Sequence, residues 1–378
     1  MDFGLGGGPG RCAAQPCAGL RLDRSRASRT FGPISGPKIP RLETILVSLQ
    51  NPYRADGVFE WVSSSDSRRP HELARPSDAI YRIAHFTDVH VPSEVEILER
   101  LKDLANNHQS VGDWLHNFSA AGNALAHAYH RVREEYSNLL KKTLVGFHLL
   151  GVDHVIITGD LAHCGLEAEF MEMRAILEVT GWWGTEKLTV VPGNHDRFNL
   201  YERLVREPME KFFPVVNSRE PRIKKLPGGI ALLEIESNCD REDDRHFTEQ
   251  WLPNSYGRIY PETLEFIEKQ QADLGEMRLL TCMHHHVSED WYHFSPEMLF
   301  GSLMGPVDNA DQFLEAVGLL DPTGAVLHGH KHDLMPVDYA IGPHQISCPG
   351  GFAEQLMVNL IDVNPHSELT FTHARLRT

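Results

Sequence analysis

The sequence predicts a layered α/β fold, and two observations carry that expectation. Short apolar runs alternate with stretches of helical periodicity through most of the chain, the pattern of strands covered by helices. Five of those apolar runs also stop at a short polar block: Asp88-Val89-His90, Gly159-Asp160, Gly193-Asn194-His195-Asp196, His284-His285-His286 and Gly329-His330-Lys331-His332. Polar residues gathered at strand ends are how open α/β sheets build sites.

The elements follow in order. Residues 1–40 are rich in Gly, Arg, Pro and Ser, with five glycines between Gly4 and Gly10, and are expected to be a disordered leader. Residues 41–78 form an N-terminal extension in which Leu42–Leu49 and Gly57–Ser63 read as strands before a loop marked by Pro70 and Pro76. The main domain is expected over 79–378. Its first strand is Ala79–Phe86. A long helical stretch follows from about Ser93 to Leu150. Ser93 and Glu96 have capping-box spacing, and Ile97, Leu98, Leu101 and Leu104 recur with helical period. A second helix is expected from Gly122 to Gly151. Then come a strand at Val155–Ile157, a helix from Glu167 to Thr180, and a strand at Leu188–Val191 stopped by Pro192-Gly193. Residues 198–213 read as helix, Ile230–Ile235 as strand, Pro261–Leu274 as helix and Arg278–Met283 as strand. Asp308–Val317 is expected to be helical and Gly324–Leu327 extended. The tail holds short strands at Glu354–Ile361 and Leu369–His373.

Composition narrows the function. The 378 residues suffice for one large domain, and 41% hydrophobic with 23% charged is ordinary globular material. A formal net charge of −16 disfavours stable nucleic-acid binding, which needs clustered Lys and Arg. It leaves room for a small phosphorylated substrate, since bound metals supply positive charge locally. The 6 cysteines are scattered without CxxC spacing, so a disulfide framework is not expected. No apolar run approaches the roughly 20 residues of a membrane span, and the first 30 residues lack a signal-peptide core. The expectation is a cytoplasmic protein with no transmembrane segment.

The five blocks share one chemistry. Asp88 and His90, two residues apart on an extended segment, would point to the same side and reach one metal. Asp160 has two oxygens and can bridge two cations. Asn194 offers a neutral oxygen to a hard cation. His195 can lie just outside the metals, facing the substrate, where it could protonate a leaving alkoxide. Asp196 could then fix the orientation of that imidazole. One or two rings of the run 284–286 can face the site. His330 and His332 repeat the two-residue spacing, with Gly329 permitting close backbone approach. Imidazoles so placed suit Zn, Fe, Mn or Ni. Together the blocks point to two clustered cations, which suit the attack of water on phosphorus.

The order D-x-H, G-D, G-N-H-D, H, G-H-x-H resembles the calcineurin-like metallophosphoesterase superfamily over about residues 80–365. The resemblance implies a four-layer α/β/β/α sandwich with a dinuclear metal centre. It implies one metal on Asp88, His90, Asp160 and His332. The other would sit on Asp160, Asn194, a histidine of the run (His285, with His284 as runner-up) and His330. Asp160 would bridge, and His195 would be the catalytic imidazole, with Asp196 beside it. The metals would be two divalent or trivalent ions drawn from Mn, Fe, Zn and Co.

Leu327-His328-Gly329-His330-Lys331-His332 and the histidine run look like the class III cyclic-nucleotide phosphodiesterase branch. The Arg-Gly pair that follows Gly-Asp in the protein-phosphatase branch is replaced by Leu161-Ala162. The expected activity is hydrolysis of a phosphodiester, with a cyclic nucleotide as one candidate. Phosphomonoesterase and lipid-headgroup or nucleotide pyrophosphatase activities are the alternatives on the same site. A non-enzymatic scaffold is disfavoured because every ligand type is present. Asp88 and Asp160 lie 72 positions apart, further than the resemblance implies. The extra helical segment, about 93–150, is a candidate lid, homodimer arm or membrane-facing wedge.

Overall fold

The computed structural model describes residues 59–64, 73–91, 133–163, 165–197, 207–217, 219–239, 257–288, 307–332, 334–335, 340–341 and 344–377. All of them lie in the unit Pro40–Thr378. The expected leader 1–40, the strand at 42–49, the helical stretch 93–132 and the helix start at 198–206 lie outside the described residues.

The strands are β1 (Phe59–Ser64), β2 (Tyr81–Phe86), β3 (His154–Thr158), β4 (Leu188–Val191), β5 (Arg222–Leu226), β6 (Ile230–Glu234), β7 (Arg278–Cys282), β8 (Ala325–Leu327), β9 (Leu334–Met335), β10 (Ala340–Ile341), β11 (His344–Pro349), β12 (Met357–Val363) and β13 (Leu369–Leu376). The helices are α1 (Arg133–Leu149), α2 (Glu167–Val179), α3 (Glu207–Phe212), α4 (Pro261–Lys269), α5 (Gln271–Leu274), α6 (Ala310–Leu320) and α7 (Phe352–Gln355). The single helix expected over 261–274 is thus two, meeting at Gln270, which caps both.

Two mixed sheets result. The first has the order β1-β13-β12-β2-β3-β4, with β2, β3 and β4 parallel. The second has the order β10-β11-β8-β7-β6-β5, with β9 on β11 and a parallel run from β6 through β7 and β8 to β11. This is an α/β fold consistent with the metallophosphoesterase sandwich.

Side-chain alternation sorts the strand residues into separate cores. Ala84, Phe86, Val155, Ile157, Val358 and Leu360 pack with Leu140, Leu144, Phe170 and Met173 of α1 and α2. Ala231, Leu233, Leu279 and Val326 pack with Ile267, Phe313 and Val317 of α4 and α6. The opposite faces of both sheets, among them Ile83, Ile156, Ile361, Leu232, Leu280 and Leu327, share a third core. Sheets covered on both sides explain the near-continuous apolar runs of the parallel strands. Trp182 is buried at the end of α2, where its Nε1 donates to the Leu144 carbonyl at 2.7 Å and its ring stacks on His148.

One buried histidine away from the site makes the fold acid-sensitive. The His154 Nδ1 donates to the Glu186 carbonyl at 3.1 Å, and its Nε2 lies 2.9 Å from the Thr189 hydroxyl, which also accepts from Lys224 Nζ at 3.0 Å. Burial, with Lys224 nearby, lowers the His154 pKa to about 3. The unfolded chain takes up a proton near pH 6.5 that the folded chain refuses. The contribution to stability is therefore complete above pH 6.5 and is lost as pH falls toward 3, reaching about 2 kcal/mol at pH 5. Urea midpoints should show wild type losing about 2 kcal/mol more than His154→Gln between pH 7 and pH 5. Equal losses would remove His154 from the account.

Candidate metal centre

Five parallel strands deliver the five polar blocks to one edge of the two sheets. Asp88 and His90 follow β2, Asp160 follows β3, and Asn194 to Asp196 follow β4. The histidine run follows β7, and His330 to His332 follow β8. Asp88, His90, Asp160, His284 and His330 are buried, while Asn194, His195 and His332 are half-buried. The carboxylates are thus more deeply buried than Asn194, His195 and His332.

The blocks are not extended, as the two-residue spacing suggested. Asp88, His90, Asp160, His330 and His332 all have positive φ, between 48° and 75°, and supply five of the eight such non-glycine residues described. Left-handed backbone is uncommon outside glycine and collects at functional sites. Here it is held by hydrogen bonds between loops. Asp88 N–H donates to Gly159 O at 3.2 Å and His90 N–H to Asp160 O at 2.8 Å. The Tyr136 hydroxyl of α1 donates to the Val89 carbonyl. His330 N–H donates to the Asp88 carboxylate at 3.1 Å. A Cβ on Gly329 would meet Asp88 Oδ2 at 2.6 Å and press on Thr87, so the last block can approach the first only with glycine there.

Two sets of donor atoms converge. Asp88, His90, Asp160 and His332 each place a ligand atom within 4.8 Å of the others. His332 Nε2 lies 3.1 Å from Asp88 Oδ1 and 3.3 Å from His90 Nε2, and His90 Nε2 is 3.7 Å from Asp160 Oδ2. The second set surrounds Asn194 Oδ1, with His284 Nε2 at 2.9 Å and His330 Nδ1 at 3.0 Å. Asp160 Oδ2 lies 3.4 Å from His284 Nε2, so one carboxylate touches both sets.

The ring that reaches Asn194 and Asp160 belongs to His284, and not to His285 as expected. His284 Nδ1 lies 2.8 Å from the Thr158 carbonyl. A carbonyl only accepts, so Nδ1 carries the hydrogen and Nε2 is left facing oxygen atoms. That nitrogen needs either a second proton or a cation opposite it, and the donor set fits a metal. His285 turns the other way and pairs its Nδ1 with the Ser237 hydroxyl at 2.8 Å. The ring of His286 stacks on that of His330 at 6.0 Å.

The electrostatics follow from crowding. Burial alone would raise the Asp160 carboxyl, but His284, His195 and His90 hold it well below the usual carboxylate range. Burial and then the neighbouring imidazoles push His90 and His330 well down, so both rings are neutral and able to ligate. Burial opposes protonation of His284, yet Asp160 beside it lifts its pKa to about 9.

Asp196 does not orient the His195 ring. Its carboxylate accepts from Ala162 N–H and Gly193 N–H, both at 2.9 Å, and ties the β3 loop to the β4 turn. Burial and then Asp160 raise its pKa to about 7. The His195 Nδ1 donates to the His163 carbonyl at 2.7 Å instead, and His195 N–H donates to Asp160 Oδ1 at 2.8 Å. The His195 ring stands edge-on to His90 at 4.7 Å and is stacked with the His163 ring at 5.6 Å. His163 was not singled out in the sequence, although it stands three residues after Asp160. Nor was Glu236-Ser237-Asn238, which follows β6 and touches both the β4 turn and His285.

The sequence profile of the calcineurin-like phosphoesterases matches residues 81–334. A glycerophosphodiester phosphodiesterase, GpdQ, from Enterobacter lignolyticus (strain SCF1) is 24% identical over 191 residues, 50% of this chain. The match spans 58% of that relative's length. Among solved structures, a dimetal phosphatase from Danio rerio aligns over 78% of this chain and 92% of its own, with a TM-score of 0.45 and 13% identity. No helix among the described residues is long and apolar enough to cross a membrane.

Proposed function

The chain belongs to the calcineurin-like phosphoesterase family of metal-dependent hydrolases, and on that premise we propose that it hydrolyses a small phosphodiester at a dinuclear metal centre. The observation that carries the reading is the position of Asp160, whose carboxylate lies between the Asp88–His90–His332 set and the Asn194–His284–His330 set. One metal is assigned to Asp88, His90, Asp160 and His332, and the other to Asp160, Asn194, His284 and His330. Two cations held there would lower the pKa of a coordinated water and offset charge on the phosphate oxygens. Mn, Fe, Zn and Co all suit this donor set.

The chain's own residues supply the rest. Thr158 fixes the tautomer of His284 through its carbonyl, and the loop hydrogen bonds hold Asp88 and Asp160 before any substrate arrives. His195, with its Nδ1 hydrogen on the His163 carbonyl, keeps Nε2 for a proton passed to the leaving oxygen. The four-layer α/β/β/α arrangement is part of the proposal, supported by the three apolar cores. The glycerophosphodiesterase relative supports a diester over a monoester.

A reconstituted assay tests the reading. Protein stripped with a chelator and reloaded with Mn, Fe, Co or Zn is offered aryl phosphomonoesters, aryl phosphodiesters, glycerophosphodiesters and cyclic nucleotides. Diester hydrolysis should appear only with metal and exceed monoester hydrolysis. A strong monoester preference overturns the diesterase assignment, and turnover unaffected by metal removal overturns the metal centre.

A further inference from the structure

We infer that Glu236 and Asn238 are positioning residues that set the turn carrying Asn194 and His195, an inference that rests on the proposed role of His195. The turn leaves β4 of the first sheet, whereas Glu236 and Asn238 follow β6 of the second. Glu236 takes the Arg197 guanidinium in a two-point grip, Nε to Oε1 at 2.6 Å and Nη2 to Oε2 at 3.0 Å. Both side chains are buried, at 1% and 5% exposure. The third nitrogen of Arg197 donates to Glu210 Oε1 at 2.5 Å. The Asn238 amide donates to the Gly193 carbonyl at 3.2 Å and reaches Pro192 O at 3.4 Å and Glu236 Oε1 at 3.3 Å.

The turn is therefore gripped on both sides of its working residues. Gly193, just before Asn194, is held by Asn238, and Arg197, two residues after His195, is held by Glu236. Asp196 ties the same turn to Ala162. A one-turn 3-10 helix at His195–Arg197 is too short to fix a side chain by its own hydrogen bonds. The ring itself is set by the His163 carbonyl, while the backbone that carries it is held by the contacts across the sheets. All three Arg197 nitrogens are engaged by carboxylates of the protein. A displacement of about 1 Å in a catalytic group costs about 100-fold in rate, so loosening the clamp should act through the proton passed by His195.

The test is the dependence of kcat on the leaving group. Aryl phosphodiesters whose phenols range from acidic to weakly acidic are turned over by the full chain at saturating Mn. Arg197→Lys keeps the positive charge between Glu236 and Glu210 but loses the fork. Asn238→Ala removes the grip on the turn carbonyls together with the 3.3 Å contact to Glu236 Oε1 and covers the case in which Arg197→Lys does not fold. Each variant should lose roughly 10- to 100-fold in kcat with the poorest leaving group and little with the best. KM should be unchanged, and saturating Mn keeps the site loaded where Asn194 on the loosened turn grips metal less firmly. A loss that is uniform across leaving groups, or no loss, overturns the inference. His195→Ala run in parallel separates the two ideas. If it shows the leaving-group dependence and the clamp variants do not, the clamp alone fails. If it shows none, the role of His195 fails and takes the inference with it.

Discussion

Replacing Asp160 with asparagine is expected to lower phosphodiester turnover by about three orders of magnitude. The change is small in shape, and Asn tolerates the left-handed backbone found at this position, where φ is 52°. Its carboxamide oxygen can still accept the His195 N–H that now reaches Asp160 Oδ1 at 2.8 Å. What it removes is the negative charge shared by the two donor sets. Oδ2 lies 3.4 Å from His284 Nε2 and 3.7 Å from His90 Nε2, and a neutral amide is a poor bridge between cations. Metal-supplied charge stabilisation is worth several kcal/mol, and each 1.36 kcal/mol is tenfold in rate. Steady-state kinetics at saturating metal should show kcat and kcat/KM falling together, because the lost interaction belongs to the transition state. Turnover within tenfold of wild type would mean that Asp160 does not bridge.

The largest expected stability effect lies at Arg82. Its guanidinium, 2% exposed, meets a 3% exposed Asp362 carboxylate with Nε to Oδ1 at 2.7 Å and Nη2 to Oδ2 at 2.8 Å. The remaining hydrogens go to the carbonyls of Leu73 at 2.8 Å, Leu150 at 2.9 Å and Ala74 at 3.3 Å. All five donors of the fork are used. One side chain thus joins β2 to β12 and to the segments beside α1. Arg82→Met keeps the apolar stem but leaves a buried carboxylate without its partner, at a cost of about 3–5 kcal/mol. Domains of this kind are stable by only about 5–15 kcal/mol, so the urea midpoint should fall far. Arg82→Met with Asp362→Leu should recover part of the loss, since a well-packed apolar pair can replace a buried ion pair. A loss below about 1 kcal/mol for the single variant would contradict the account.

What could be read from the sequence was what is local. Each of the five parallel strands that lead into the site declares itself by an apolar run, and each block declares itself by the glycine or polar residue that ends the run. That sufficed to place Asp88, His90, Asp160, Asn194, His330 and His332 at strand ends and to expect them near one another. The choice between His284 and His285 was not local. It depends on the Thr158 carbonyl of one sheet and the Ser237 hydroxyl of the other, which claim the two neighbouring rings. The role of Asp196 is not local either, because its carboxylate is taken by two backbone amides, Gly193 of its own turn and Ala162 from a different strand end. The strand β5, Arg222–Leu226, carries three cationic residues on an edge that, among the described residues, is paired only with β6. Charge on an edge strand guards against aggregation but hides the strand from an apolar-pattern reading. Glu236 and Asn238 lie about 40 positions from the turn they hold, and nothing in either segment names the other.

The central claim is that Asp160 joins two metals. The most direct test is the metal content of the full chain after chelation, reloading with Mn and removal of excess, read by elemental mass spectrometry for wild type and Asp160→Asn. Two Mn per wild-type chain and fewer in the variant are the predicted result. One Mn or none in wild type, or two in both proteins, would contradict it.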